Sequence, residues 1–210
     1  MIDYLKDPIE IYRRSWQLVR AATDLSRLPG GLDDVALRLV HASAMPEIAN
    51  QLAASPGAAA AGRSALAAGA PVLVDAEMVA HGVIRSRLPA RNSVICELND
   101  PRVIDLARAQ GTTRAAAQLE LWGPRLGGAV VAIGNAPTAL FRLLEMIASG
   151  APRPALVLGF CVGFVGAAEA KAALIESDLP HIALKGRLGG SALAAAAVNA
   201  LAGPPEGETP

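Results

Sequence analysis

The sequence predicts a single α/β domain, with a mostly parallel central sheet flanked by helices and a helical segment at the N-terminus. Three observations carry this. Short runs rich in Val, Ile and Leu stand at 72–74, 94–98, 130–133, 156–158 and 182–184. They are continuously apolar rather than alternating, as strands covered on both faces are. Helical stretches separate several of them, as crossovers between parallel strands require. Finally, 210 residues without an internal repeat or linker suit one domain with a sizeable core. That domain is expected to span 1–203, and the Pro- and Glu-containing residues 204–210 read as a disordered tail.

In chain order, Asp7-Pro8 opens the first helix, on which Ile9, Tyr12, Trp16 and Val19 recur at spacings of three and four and form one stripe. Ser15 lies beside Trp16 at the edge of that stripe. Pro29-Gly30-Gly31 breaks the chain, and Asp33 and Asp34 signal the N-terminus of a second helix over 35–42. On it Arg38 and His41, three apart, share a face. An Ala-rich third helix over 56–68 ends at Gly69.

The last three strands each lead through a glycine-rich turn into a helix: GNAPT into ALFRLLEMI, GFCVGFVGAAEA into KAALIE, and KGRLGGS into ALAAAAVNAL. In a parallel sheet these turns share the carboxyl edge, where open α/β sheets bind ligands. Helix starts there present N–H groups that favour anions. The turns therefore point to a shared surface for an anionic ligand; the alternative is that glycine serves only to make them tight. None matches GxGxxG or GxxxxGK[ST], which disfavours a nucleotide site.

Composition narrows the classes further. Hydrophobic residues reach 52% and mean hydropathy is +0.36, so a membrane protein has to be considered. The longest uncharged stretches, at 126–141, 154–168 and 188–205, are interrupted by Gly, Pro, Asn or Ser. None is a run of about 20 apolar residues that could span a bilayer. The opening MIDYLKDPIEIYRR is charged and lacks an apolar signal region, so a cytoplasmic location is expected. With 19 basic against 19 acidic residues and 3% aromatics, nothing offers itself to nucleic acid. Of the basic residues only Lys6, Lys171 and Lys185 are lysines; the other 16 are arginines. Arg grips carboxylates with two bonds, so the bias suits a polyanionic ligand, unless it reflects overall composition alone.

Cys96 and Cys161 sit in apolar strand-like segments and read as buried small hydrophobes, with no CxxC pair to hold a metal. His181 begins a strand at the edge opposite the glycine-rich turns and reads as structural. The spacing of Asp75, Glu77 and His81 matches no strong metal template; the alternative is that the two carboxylates cap and anchor the turn after their strand. His41 ends a helix, where the dipole favours its cation, one turn after Arg38. Such a group exchanges protons near neutral pH, although on local evidence alone a structural or surface role reads slightly better. There is no G-x-S-x-G elbow and no HExxH motif.

Taken together, DPIEIYRRSWQLVR, LRLVHAS, AGAPVLVDAEMVAHGV, TTRAAAQLELW, VVAIGNAPTALFRLLEMI, GFCVGFVGAAEAKAAL and GRLGGSALAAAAVNAL resemble the precorrin-8X methylmutase family of cobalamin biosynthesis, in register over about residues 3–202. The resemblance implies an α/β homodimer without metal or organic cofactor, in contact with neighbouring enzymes of its pathway. It implies an isomerase that moves a methyl group from carbon 11 to carbon 12 of a polycarboxylate corrinoid. Precorrin-8X would give hydrogenobyrinate, or the cobalt-containing substrate cobyrinate. It further implies His41 as proton donor and acceptor, with Ser15 and Arg38 binding substrate. Arg114 is a candidate carboxylate clamp, and Asn135, Gly163 and Gly189 are substrate contacts inferred from their places at strand ends. Three departures from the family pattern stand out: Ala44 where Gly is expected, Trp16 where Phe is usual, and Phe160-Cys161 in place of a Met-Pro-like pair. They bear on substrate fit or rate. A second reading, a corrinoid carrier without turnover, would share the binding residues but not need His41.

Overall fold

The computed structural model describes residues 2 and 4–203; the expected tail at 204–210 lies outside the described residues. Six strands form one sheet: β1 (Leu52–Ala54), β2 (Val72–Val74), β3 (Val94–Ile95), β4 (Val130–Ile133), β5 (Leu156–Gly159) and β6 (His181–Leu184). Their spatial order is β1-β6-β5-β4-β2-β3, and every pairing is parallel except the edge pair β1–β6. Strand β1 was not expected from the sequence. Its three residues, Leu-Ala-Ala, contain no β-branched side chain and form no distinct apolar run.

Alternate residues of the strands serve two cores, which is why the runs are apolar throughout. Val72, Val74, Val130, Ala132, Leu156, Leu158 and Ile182 face one cluster, with α2 (Asp33–Ser43), α3 (Ala58–Ala67), α4 (Glu77–Gly82) and α9 (Ser191–Ala202). Leu73, Val131, Ile133, Val157 and Ala183 face the other, with Trp122, α7 (Pro137–Ala148) and α8 (Ala167–Glu176). Helix α5 (Pro101–Gln110) packs with the short α6 (Arg114–Ala117) in a small third cluster. Helix α1 (Pro8–Ala22) lies outermost against α2 and buries only Trp16. No helix among the described residues is long and apolar enough to cross a membrane.

Two expected boundaries move for identifiable reasons. Asp33 and Asp34 sit in the first turn of α2 rather than capping it; Leu32 occupies the cap position without a side-chain bond. The acidic pair still favours the helix electrostatically at the positive end of its dipole. Strand β3 ends at Ile95 rather than at 98, because the buried Gln118 side chain takes the Glu97 N–H at 3.0 Å. The same amide donates to the Asp75 carbonyl at 2.8 Å, tying the ends of β2 and β3 together.

Candidate active site

The site is built from the first two helices. Asp7 caps α1 through the Glu10 N–H at 2.8 Å, with Pro8 at the first helical position, as the Asp-Pro pair predicts. His41 lies in the last turn of α2, which ends at Ser43. Ala44 turns left-handed at φ 55° and ψ 29°, and its N–H closes on the Val40 carbonyl at 2.8 Å. That conformation suits glycine and is strained for alanine, which gives the Ala44 departure a physical meaning. Arg63 joins Asp34, in the first turn of α2, to the carbonyls of Ala200 and Gly203 at the end of α9. The two helices therefore run antiparallel. The last turn of α2, with His41, lies toward the start of α9 and the carboxyl edge of the sheet.

Across the two helices Ser15, Arg38 and His41 come together; spacing had put Arg38 and His41 on one face, and the family resemblance had added Ser15 to the same site. Ser15 Oγ and His41 Nδ1 share a hydrogen bond at 3.2 Å. The imidazole stacks on Trp16, with ring centroids 4.6 Å apart and planes 12° from parallel. On the indole, Arg38 places its guanidinium carbon 5.9 Å from the ring centroid, and Tyr12 meets it edge-on at 6.0 Å. Two of the ring's constraints are thus explicit: a flat apolar surface against one face and a hydroxyl at Nδ1. The role of Trp16 as that surface was missed in the sequence, where the residue read only as part of a packing stripe. Its buried Nε1–H has no hydrogen-bond partner.

At the carboxyl edge the turn after β4 departs from the expectation of a shared anion surface. Strands β2 and β4 run parallel, but successive strands are added on opposite sides of this pair, β3 beyond β2 and β5 and β6 beyond β4, and such a switch point is where open α/β folds usually leave a ligand crevice. Here Asp75, fully buried at the end of β2, fills it. Its carboxylate accepts from the N–H groups of Gly134, Asn135 and Ala136 at 2.8, 2.9 and 2.7 Å. Burial pushes this carboxyl's pKa up, and the three N–H groups oppose the shift. The turn after β4 therefore spends its N–H groups on the protein's own anion, leaving Asn135 only an exposed side chain to offer. Gly134 is required by close packing: a Cβ would stand 2.7 Å from Ala194 Cβ and 2.9 Å from Ser191 Cα.

The other two turns meet each other. The Gly190 N–H donates to the Phe160 carbonyl at 2.7 Å, and that of Gly163 to Arg187 at 3.4 Å. A Cβ on Gly189 would lie 2.2 Å from the Phe160 oxygen, so glycine there permits contact between two backbones. Above this junction Arg187 lies over the Phe164 ring at 5.4 Å, beside exposed Val165 and Leu188. Arg114 stands exposed at the start of α6. Its neighbour Thr113 bonds Thr138 on α7 at 2.8 Å, which places Arg114 beside the start of α7.

The metal reading of Asp75, Glu77 and His81 does not assemble. Asp75 is occupied by the turn after β4, Glu77 bonds Asn99, and exposed His81 pairs through Nδ1 with the Glu77 carbonyl at 2.7 Å. Asp75 does anchor a turn, though the one after β4 rather than its own, and Glu77 caps nothing. Among the described residues no group of three or more His, Cys, Asp or Glu is placed to hold a metal ion. His181 is buried, with Nδ1 against the Leu179 carbonyl, as a structural histidine would be. Many arginines are engaged by the chain's own carboxylates, including Arg125 with Glu97 and Arg142 with Glu120. Both cysteines are free, and burial pushes each thiol up to about 11.

Comparison with known proteins settles the family. The family model described as precorrin-8X methylmutase matches residues 10–203. This chain belongs to the precorrin-8X methylmutase family. It is 57% identical to the precorrin-8X methylmutase of Pseudomonas aeruginosa over 96% of this chain and 98% of that protein. It is 38% identical to the cobalt-precorrin-8 methylmutase of Methanothermobacter thermautotrophicus, over 91% of each. The crystal structure of precorrin-8x methyl mutase from Thermus thermophilus superposes with a TM-score of 0.84 at 43% identity, covering 92% of this chain and 94% of that one. The single α/β domain with a mostly parallel sheet is thus the methylmutase fold, and the family's activity is an intramolecular methyl migration.

Proposed function

We propose that this chain converts precorrin-8X to hydrogenobyrinate by moving the methyl group on carbon 11 to carbon 12, with His41 as proton donor and acceptor. The observation that carries the role of His41 is its clamp, with the imidazole flat against Trp16 and Nδ1 on the Ser15 hydroxyl. When Ser15 donates to Nδ1, the ring proton sits on Nε2. If the ring becomes imidazolium, the same hydroxyl turns and accepts from Nδ1–H. Ser15 therefore serves both protonation states without moving.

The reaction neither gains nor loses atoms. The bond from carbon 11 to the methyl group breaks as the bond to carbon 12 forms, and the conjugated double bonds relocate. A proton or hydrogen bond from His41 to the ring system stabilises the charge that develops and is returned when the new tautomer forms, a contribution of about 10²–10⁴-fold for general acid–base catalysis. Arg38 and Arg114 supply guanidinium groups to the substrate's acetate and propionate side chains. The Asn135 side chain and the backbone at Gly163 and Gly189 border the carboxyl edge on which it lies. Preference for the cobalt-free substrate is supported by the higher identity to a relative named for precorrin-8X than to one named for cobalt-precorrin-8. The working unit is a homodimer; exposed Ile11 and Leu18 on α1, and Tyr4 and Leu5 before it, provide apolar surface for a second copy.

An absorbance time course of the protein with precorrin-8X tests the activity. The methyl shift alters the conjugated system, so the visible bands should move progressively with time. Bands that shift at once on mixing and then stay fixed would replace the enzyme with a corrinoid carrier.

A further inference from the structure

Lys171 takes no part in the chemistry above, yet it is the one lysine in the core. It lies on the inner face of α8, fully buried, and its ammonium donates to the carbonyl of Leu188 in the turn between β6 and α9. Its titratable neighbour is the Cys161 thiol, and burial lowers its pKa. A buried ammonium with no carboxylate beside it opposes folding, and a Met or Leu of similar volume would suit this position better on stability alone. What Lys171 holds is the junction of two turns. Leu188 is flanked by Gly189, seated against Phe160 and Cys161, and by Arg187, whose carbonyl takes the Gly163 N–H and whose guanidinium covers Phe164.

We propose that Lys171 is a positioning residue for substrate binding: from inside the fold it pins the Leu188 carbonyl, and so fixes where Arg187 and Leu188 stand on the carboxyl edge to meet the substrate's carboxylates and ring. The inference rests on reading that edge as the floor of the substrate site. Lys171 has no access to the reacting atoms, so its loss weakens binding of substrate and transition state alike. That raises KM and leaves kcat in place.

Steady-state kinetics on precorrin-8X and thermal melting of four proteins test this: Lys171→Met, Lys171→Gln, Arg187→Ala, and Lys171→Met with Arg187→Ala. Lys171→Met should keep or raise Tm, raise KM about tenfold, the equivalent of one displaced charge-assisted contact, and hold kcat within roughly threefold. Lys171→Gln retains an N–H donor and should recover part of the KM. The double variant should be no worse than the weaker single one, because both act through one turn. A Lys171→Met protein with lowered Tm and unchanged KM overturns the positioning role and makes the residue purely structural; Lys171→Gln gives the same reading if the Met variant does not fold. Unchanged KM in Arg187→Ala removes the floor itself and the inference with it. A raised KM there beside an unchanged one in both Lys171 variants overturns the inference alone.

Discussion

Two turns that look alike in the sequence, GNAP after β4 and KGRLGG after β6, are held from beneath by buried ionic side chains of opposite sign. Asp75 takes three N–H groups of the first; Lys171 gives one hydrogen bond to a carbonyl of the second. A glycine-rich turn at the carboxyl edge of a sheet is therefore not by itself an anion cradle. Its N–H groups must be counted, and in the first turn they are already used. The two holds also differ in what their loss would expose. Buried N–H groups have no substitute acceptor, whereas a carbonyl that loses one donor is more easily tolerated.

The largest effect expected from this contrast is at Asp75. Asp75→Asn puts an NH2 where a carboxylate oxygen accepts, leaving buried donors unpaired. Relief from burying a charge offsets part of the cost. The net loss should be about 3 kcal/mol, or roughly 10 °C in Tm, measured by denaturant unfolding and by melting. A loss under about 1 kcal/mol would mean that the first turn is not sealed by this carboxylate. The equivalent removal on the other side, Lys171→Met, should cost nothing in Tm, as set out above. Equal losses at the two positions would erase the distinction between the turns.

A smaller effect belongs to Cys161, in the second junction. Its pKa rises from 9.0 unfolded to about 11 in the fold, so the folded protein disfavours the thiolate. Its contribution to stability is complete below pH 9 and is lost as pH rises through about 11. Unfolding free energies of the parent minus those of Cys161→Ala should therefore fall over that window, and a flat difference would place the thiol in a more polar setting. Smallest is Ala44→Gly at the end of α2. Relief of the left-handed backbone outweighs the extra freedom of the unfolded chain, and stability should rise by roughly 0.5–1 kcal/mol. A decrease would show that the turn behind His41 is not strained.

Much of the fold was legible because the signals were local or periodic. The inner strands announced themselves as continuous runs of branched residues, and Asp7-Pro8 marked the start of α1 to the residue. Ser15, Arg38 and His41 also lay within reach: the spacing of Arg38 and His41 put them on one helix face, and the family resemblance supplied Ser15 as a substrate contact, while its bond to His41 emerged only in the structure. What stayed hidden was long-range. Asp75 is about 60 residues from the N–H groups it accepts, and nothing in GNAP says that they are taken. Lys171 in GAAEAKAAL reads as a solvated helix lysine until α8 is docked. Strand β1 pairs only at an edge, and the truncation of β3 depends on a glutamine more than 20 residues away.

The central claim is that the clamped imidazole performs the proton chemistry while other groups hold the substrate. It is tested most directly by comparing parent and His41→Ala for both corrinoid affinity and single-turnover conversion of precorrin-8X. The account predicts a Kd within about threefold of the parent and a conversion rate at least about 100-fold lower, the span of a lost general acid–base group. A variant that converts precorrin-8X within a few-fold of the parent rate would contradict it.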